Sequence, residues 1–194
     1  MTKTIIWDFD DVLFNTLYYW TQWYNEQNGT IIQYENIIEN PPLIAAGINY
    51  EEYRMSMDAF RNSDFARSIE PDKSLIEWFE KYGDHFIHVV LTARPLSTMP
   101  AASRWIYTHF GRWIHTISHI SSPRPDDRIH NHFSKKGDWI NYFNPTGYYI
   151  DDSPGHIASV NSNKITPLLL SRPWNDSSLQ MPEILIRIIT ENGF

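Results

Sequence analysis

The stretch IIWDFDDVL at residues 5–13 joins a short run of strand-forming residues to three aspartates. Strand side chains alternate between two faces, so Asp8 and Asp10 point to the same side. Two carboxylates so close together repel one another, and loss of water disfavours both charges. A divalent cation relieves both problems, and Mg²⁺ prefers hard oxygen ligands. The pattern is typical of a carboxylate nucleophile with an acid/base partner over Mg²⁺, which is the chemistry of phosphoryl transfer through an aspartyl-phosphate.

Composition narrows the class of protein. The 194 residues are enough for one domain, or one domain with a modest insertion, and 42% hydrophobic residues allow a packed core. A net charge of −7 argues against a broad basic face that coats nucleic acid, so a nucleic-acid partner is not expected. The chain has no cysteine, which excludes disulfides, zinc–thiolate sites and a thiol nucleophile.

The sequence gives no sign of a membrane partner. No apolar run approaches the ~20 residues that span a bilayer. Residues 1–4 lead directly into the first expected strand, which leaves no room for a signal peptide. We therefore expect a cytoplasmic protein without a membrane anchor.

Strands and helices alternate along most of the chain. Strands are expected at residues 4–8, 86–91, 114–120, 147–150 and 165–170, with helices at 75–83, 98–109, 155–161, from Lys135, and from Pro182. Such alternation indicates an α/β fold with a Rossmann-like parallel sheet flanked by helices.

A helical insertion interrupts this pattern after the first strand. Residues 15–69 carry helix signals and no convincing strand, with helices expected at 15–27, 34–39 and 50–61. The sequence thus predicts a core formed by residues 1–14 and 70–194 and a small helical insertion between them.

Polar residues follow the expected strands where ligands gather in parallel sheets. They are Asp8 and Asp10 after the first strand, Thr92 after the second, Lys135 and Lys136 at a helix start, and Asp151 and Asp152 after a later strand. The order along the chain is an acid pair, a hydroxyl, a lysine and a second acid pair.

In this order the motifs DFDDV, LTAR, the lysine and IDD resemble the haloacid dehalogenase-like (HAD) phosphohydrolase superfamily. The resemblance implies a HAD-like core in which residues 15–69 form a cap that covers the site and selects substrates. An acid at the Asp10 position, which family dehalogenases lack, favours phosphatase chemistry.

The resemblance also implies a role for each motif residue. The implied catalytic residues are Asp8 as nucleophile, Asp10 as general acid/base, Thr92 as phosphoryl ligand, and Lys136, or alternatively Lys135, as the neutralising cation. The implied Mg²⁺ ligands are Asp8, the backbone carbonyl of Asp10, and Asp152 with Asp151. Substrate contacts are expected from Thr92, Ala93, Arg94, Lys135, Lys136 and, in the cap, Trp20.

Several residues carry a structural and a functional interpretation. Asp11 replaces the glycine of many family members, and we expect it to be solvated in the turn, the alternative being a role in the metal or substrate shell. Substrate-anion contacts are open to Arg124, Arg128 and His130. The pair His130 and His132 is interpreted as solvated, and His85 and His88 as structural.

The aromatic residues of the first helix also have two interpretations. Tyr19, Trp20, Trp23 and Tyr24 share one broad face, which indicates cap core, with one or two rings stacking on a planar base as the alternative. The segment RPWN at 172–175 resembles the 5′(3′)-deoxyribonucleotidase branch of the superfamily.

Together these features predict a Mg²⁺-dependent phosphatase of small phosphomonoesters, with nucleoside monophosphates as the first candidates. The alternatives are a phosphatase of nucleic-acid ends and a non-catalytic binding protein on the same fold.

Overall fold

A five-stranded parallel β-sheet forms the centre of the protein. The structure, a computed structural model, describes residues 2–120, 122, 124 and 133–194. Its strands are β1 (Thr4–Trp7), β2 (Ile87–Thr92), β3 (Ile114–His119), β4 (Gly147–Asp151) and β5 (Ile165–Leu169). They lie in the order β3-β2-β1-β4-β5, and every pair is parallel. The predicted α/β fold with a parallel sheet is confirmed.

Helices cover both faces of this sheet. Those between β1 and β2 are α1 (Thr16–Asn28), α2 (Leu43–Ala46), α3 (Tyr50–Asn62), α4 (Asp64–Ser68) and α5 (Lys73–Tyr82). The later helices are α6 (Met99–Phe110), α7 (Lys136–Phe143), α8 (Pro154–Ala158) and α9 (Met181–Glu191). Helices α1–α4 form the predicted insert after β1.

Strand β1 lies at the middle of the sheet and determines where a site can form. Its residues Ile5, Ile6 and Trp7 are fully buried, as expected for a strand covered on both faces. The chain runs from β1 to β2 and β3 on one side, then returns to β4 on the other. The strand order therefore reverses between β1 and β4, and a crevice opens at their carboxyl ends.

The insert differs from prediction in its short segments, because the helix expected at 34–39 does not form and α2 and α4 were not predicted. The helix expected at 34–39 is wrong, because only a 3₁₀ turn over Tyr34–Asn36 forms there. Pro41 and Pro42 follow closely and disfavour helical backbone before them. By contrast α4, which was not predicted, is short but well capped, since Ser63 Oγ accepts a hydrogen bond from the Ala66 N–H.

Two apolar layers hold the sheet. On one face Trp7, Phe79 and Phe110 belong to a large aromatic-rich cluster that extends into the insert. On the other face Ile6 and Tyr149 belong to a smaller cluster. Among the described residues no helix is both long and apolar enough to cross a membrane.

His88 is a buried polar residue within the larger cluster. The Trp7 indole N–H donates to His88 Nδ1 at 3.0 Å, and His88 Nε2 lies 2.9 Å from the Gly83 carbonyl oxygen. Only a neutral ring, protonated at Nε2, satisfies both partners. Burial lowers the pKa of His88 from 6.5 to about 4. The structural interpretation of His88 agrees with this placement.

The His88 pKa predicts acid sensitivity of the fold. The histidine side chain of the unfolded chain takes up its proton around pH 6.5, whereas His88 in the folded protein does so only around pH 4. Protonation therefore favours the unfolded chain, and stability falls as the pH decreases through this window. His88 should cost about 2 kcal/mol of unfolding free energy between pH 7 and pH 5. Urea titrations of the wild type and of His88→Gln at both pH values measure this loss. The Gln variant keeps a donor and an acceptor without titrating, so an equal loss in both proteins would contradict the prediction.

Candidate active site

The carboxyl edge of the sheet brings the predicted polar residues together. Asp8 follows β1 directly, and its backbone N–H donates to the Ile150 carbonyl at 2.9 Å, which places it beside the end of β4. Thr92 and Asp151 are the last residues of β2 and β4, and both are buried. Lys136 is the first residue of α7. Four segments distant in sequence thus converge at the crevice between β1 and β4.

Lys136 joins the two acid pairs. Its Nζ lies 2.7 Å from Asp8 Oδ2 and 2.8 Å from Asp151 Oδ2. Although burial opposes the charge, Asp151 and Asp8 raise the pKa of Lys136, which keeps it protonated. The neighbouring Lys135 is exposed, so of the two lysines that the sequence left open it is Lys136 that contacts Asp8 and Asp151.

Close packing of α7 positions this lysine. A Cβ on Gly137 would lie 2.2 Å from the Ser159 carbonyl oxygen at the end of α8. Glycine therefore allows an approach of the two helices that a larger residue would block. Lys136 is 2% exposed and lines the crevice.

The acid side of the site holds more carboxyl groups than Lys136 alone can balance in their charged forms. Burial raises the pKa of Asp8 to about 8, and nearby carboxylates add to the shift. Burial, then Asp11 and Asp151, raises the pKa of Asp152 to about 8. Asp152 Oδ2 accepts one hydrogen bond, from the Trp174 indole N–H at 2.8 Å. The charged forms of these groups need a further cation.

Asp11 corrects one expectation. It is 4% exposed rather than solvated, with φ of 60° in the left-handed region that aspartate tolerates better than most residues. Its Oδ1 accepts the N–H of Leu17 in the first turn of α1 at 2.9 Å. Asp11 therefore links the turn after β1 to the insert, because a carboxylate is favourable at a helix start.

The donor set fits a hard divalent cation. Oxygen atoms of Asp8 and Asp151 and a ring nitrogen of His156 lie within 4.8 Å of one another. Asp152 adds a buried carboxylate whose charge is otherwise disfavoured. Carboxylate oxygens in this number suit Mg²⁺, and His156 was not among the predicted ligands.

Asp10 is paired differently from the other acids. Arg94 holds it with two bonds, Nε to Oδ2 at 3.1 Å and Nη2 to Oδ1 at 2.7 Å. Arg61 of α3 adds a contact at 3.3 Å, and Thr16 Oγ1 donates at 2.5 Å. Despite burial, Arg61 and Arg94 hold the pKa of Asp10 well below its usual range. In this conformation Asp10 is an arginine partner and not a proton donor.

These residues line a cleft of about 290 Å³ between the sheet edge and the insert. The predicted site residues that line it are Asp8, Asp10, Asp152, Thr92, Ala93, Arg94 and Lys136. The cleft is also lined by residues that were not predicted as site residues or were left open: Arg61, Arg124, Tyr50, Tyr53 and His156. The insert thus contributes one wall of the cleft.

Trp20 does not reach this cleft, contrary to its predicted substrate contact. The ring is 0% exposed, packs against Tyr24 and Tyr53, and donates its indole N–H to Ser56 Oγ at 3.2 Å. Burial on all sides leaves no ring face for a base, so the insert-core interpretation is the one that agrees with its position. The other candidate rings, Tyr19, Trp23 and Tyr24, also pack against the buried cluster.

The remaining candidates divide by position. Arg124 lies at the cleft and pairs with Asp58 at 2.6 Å. The His85 ring packs against Phe194, with ring centroids 4.3 Å apart. Arg128, His130 and His132 lie outside the described residues.

The RPWN segment at 172–175 forms hydrogen bonds with the turns that carry the acidic residues. Arg172 Nε donates to the Asp11 carbonyl at 2.8 Å, and Arg172 Nη2 donates to Asn15 Oδ1 at 2.8 Å. Asn175 Nδ2 donates to the carbonyls of Asp152 and Leu170 at 2.8 and 2.9 Å. This segment therefore holds the turn after β1 against the turn after β4.

Arg61 and His156 were missed by sequence reasoning. Arg61 reads as an ordinary cation near a helix end, and His156 as a surface histidine of a short helix. Only the approach of the insert to the sheet edge brings Arg61 to Asp10, and no local pattern in the sequence encodes that approach.

Comparison with known proteins gives the fold. No family model and no curated protein matches the sequence. A haloacid dehalogenase-like hydrolase from Streptococcus pneumoniae superposes with a TM-score of 0.60 at 14% identity, covering 95% of this chain and 90% of that one. A HAD-superfamily hydrolase of subfamily IA from Geobacter sulfurreducens gives 0.56 at 14% identity, covering 96% of both chains.

A third structure, the HAD-type hydrolase YfnB of Bacillus subtilis bound to magnesium, gives a TM-score of 0.51 at 11% identity. The match covers 87% of this chain and 86% of that one. The fold is therefore HAD-like, as the motifs implied, while no branch of the superfamily is singled out.

The acid cluster predicts stabilisation by Mg²⁺. If Mg²⁺ binds the folded chain alone, a concentration 100-fold above its Kd adds about 2.7 kcal/mol of stability and raises the Tm. The Asp152→Asn variant should lose most of this increase, because it removes a buried carboxylate from the cluster. Thermal unfolding with and without MgCl₂ measures the effect. Asp84→Asn, an exposed carboxylate paired with Arg112, is the matched control and should respond like the wild type.

The position of Trp20 gives a second prediction. Replacing Trp20 by Leu leaves a cavity in the insert and strands Ser56 without its indole donor, so stability should fall by roughly 2–4 kcal/mol. Any loss of activity should be equal for a nucleotide and for a small ester. Chemical unfolding together with kcat/KM for both compounds checks this. A selective loss for the nucleotide would restore the stacking interpretation.

Proposed function

We propose that this protein is a Mg²⁺-dependent phosphatase that hydrolyses small phosphomonoesters through a phosphoryl group on Asp8. The observation that carries the proposal is the Asp8–Lys136–Asp151 arrangement, with Lys136 Nζ 2.7 and 2.8 Å from the two carboxylates. A buried ammonium at a buried carboxylate, next to further acids, is suited to bring a nucleophile and a phosphate together. The HAD-like fold and the order of the motifs support the same chemistry.

Asp8 provides the nucleophile in this proposal. Its carboxylate attacks phosphorus, a bond forms between an Asp8 oxygen and phosphorus, and the bond to the leaving oxygen breaks. Lys136 balances the negative charge of Asp8 before the attack and that of the phosphoryl oxygens during it. Asp8, Asp151 and Asp152 would hold Mg²⁺, which would supply Lewis-acid stabilisation of the negative charge on the phosphoryl group.

Thr92 holds the transferred group. Thr92 Oγ1 accepts a hydrogen bond from the backbone N–H of Arg94 at 3.2 Å. The hydroxyl proton of Thr92 therefore points away from that contact and is available to a phosphoryl oxygen. Thr92 is 1% exposed, so its hydroxyl is held at the sheet edge by the packing of β2.

Asp10 is the general acid and base in this proposal. Once free of the arginines it takes up a proton from water, gives that proton to the leaving oxygen in the first step, and removes a proton from the attacking water in the second. In the second step a bond forms between the water oxygen and phosphorus, the bond between phosphorus and the Asp8 oxygen breaks, and inorganic phosphate leaves. Both roles require Asp10 to exchange Arg94 and Arg61 for the substrate or water, since these arginines hold both of its oxygens in the described conformation. Entry of an anionic substrate offers the arginines another partner.

Nucleoside monophosphates are the first substrates that we propose to test. Tyr50 lines the cleft and is 46% exposed, so its ring can contact a base where buried Trp20 cannot. The resemblance of RPWN at 172–175 to the deoxyribonucleotidase branch supports the same choice.

The decisive variant is Asp8→Asn. The amide is nearly isosteric but a poor nucleophile, and it relieves repulsion among the buried carboxylates, so the fold should persist while turnover falls by at least about a hundredfold. Phosphate release from a panel of phosphomonoesters, with Mg²⁺ and with a chelator, measures the loss. Activity of Asp8→Asn near that of the wild type, or full activity in chelator, would contradict the proposal.

A further inference from the structure

Charged side chains alternate in sign at the cleft, in the order Arg94, Asp10, Arg61, Asp58, Arg124, with Arg61 and Asp58 from the insert and the other three from the core. We name this series the arginine row. Arg94 and Arg61 both contact Asp10, as described above, and Arg61 Nη1 lies 3.9 Å from Asp58 Oδ1. Arg124 Nη1 closes the row at 2.6 Å from Asp58 Oδ2. Three cations therefore face two anions, and all five side chains are at most 27% exposed.

The row contains one unpaired donor and one unpaired acceptor. Among the described atoms neither Arg61 Nε nor Asp58 Oδ1, both buried, has a hydrogen-bond partner. A buried guanidinium nitrogen without a partner costs stability, and three arginines against two aspartates leave a positive charge that the row itself does not balance. The planar fork of arginine matches the oxygens of a phosphate or a carboxylate. The excess cation and the unpaired donor therefore point to an anionic ligand.

Position separates Arg61 and Arg124 from the phosphoryl group to be transferred. Lys136 and Thr92 serve that group on the sheet side, whereas Arg61 comes from α3 in the insert and pairs across the cleft. Arg124 lies one carboxylate farther along the row, beyond Asp58. Arg61 and Arg124 are thus placed to meet a different part of the substrate.

We propose that Arg61 and Arg124 form a subsite for a second anionic group of the substrate, a phosphate or a carboxylate. The preferred substrate is then a phosphomonoester that carries another anion, such as a nucleoside bisphosphate in place of a nucleoside monophosphate. In the free protein Asp10 and Asp58 hold the arginines in position. The inference rests on the proposed function, because it assigns the transferred phosphoryl group to Asp8 and Lys136.

The test compares phosphomonoesters that differ in one anion. Thymidine 3′,5′-bisphosphate is set against thymidine 5′-monophosphate, and 3-phosphoglycerate against glycerol 3-phosphate, so that the arms distinguish phosphate from carboxylate. With the wild type, kcat/KM for one of the doubly anionic compounds should exceed that of its partner by at least about tenfold, as expected for charge-assisted bonds. Equal kcat/KM values in both pairs would overturn the proposal.

Variants assign the preference to the row. Arg61→Gln and Arg124→Gln should each reduce the preference about tenfold or more, mainly through a higher KM, while the singly anionic compound changes less. Arg61→Lys should restore part of the preference, because it keeps the charge but not the fork. Arg54→Gln, on the same helix and paired with Glu51, is the control and should keep the wild-type ratio. An equal loss for both compounds of a pair would show that the row only holds the insert.

A binding measurement separates this inference from the proposed function. Calorimetry with Mg²⁺ compares methylene bisphosphonate with inorganic phosphate, on wild type and on Arg61→Gln. The wild type should bind the bisphosphonate at least about tenfold more tightly, and Arg61→Gln should remove the difference. If no ester is hydrolysed but this difference is present, the proposed function fails and the anion subsite stands. No difference in the wild type overturns the subsite.

Discussion

One buried ammonium governs the arrangement of the site. Lys136 lies between carboxylates that end two neighbouring strands, β1 and β4, and all three groups are at most 5% exposed. Taking such charges out of water is costly, so the arrangement is stable only if every partner is in place. The helix that carries Lys136 must therefore dock closely, which Gly137 allows. The contact therefore depends both on the order of the strands, which places Asp8 beside Asp151, and on the close packing of α7, which brings Lys136 to them.

The cleft is electrically divided. One part of its lining holds Asp8, Asp11 and Asp152, for which burial disfavours charge, and another holds Arg94, Arg61 and Arg124. A cation suits the first part and anions suit the second. A phosphate ester with a divalent metal presents both signs at once, which makes the division complementary to such a complex rather than to either ion alone.

Local sequence signals predicted the sheet and its acids well. Buried runs such as IIW at 5–7, followed by polar residues, identify strand ends, and parallel strands place those ends at one edge. The signals failed where long-range packing decides. Residues 34–39 do not form a helix before Pro41 and Pro42. Asp11 is buried because it accepts a hydrogen bond from the first turn of α1, and Trp20 is buried because α3 packs over it. Arg61 could not be found, since its partner Asp10 lies 51 residues away.

The pairing of Arg61 with Asp10 also limits how the insert can move. The insert is joined to the core covalently at two places, before α1 and after α4, and non-covalently by the shared apolar cluster and by the ion pairs Arg61–Asp10 and Asp58–Arg124. An anion that binds Arg61 and Arg124 would compete for both ion pairs and leave the apolar contacts in place. Access to the cleft and the electrostatic attachment of the insert are therefore coupled, because the same two guanidinium groups serve both.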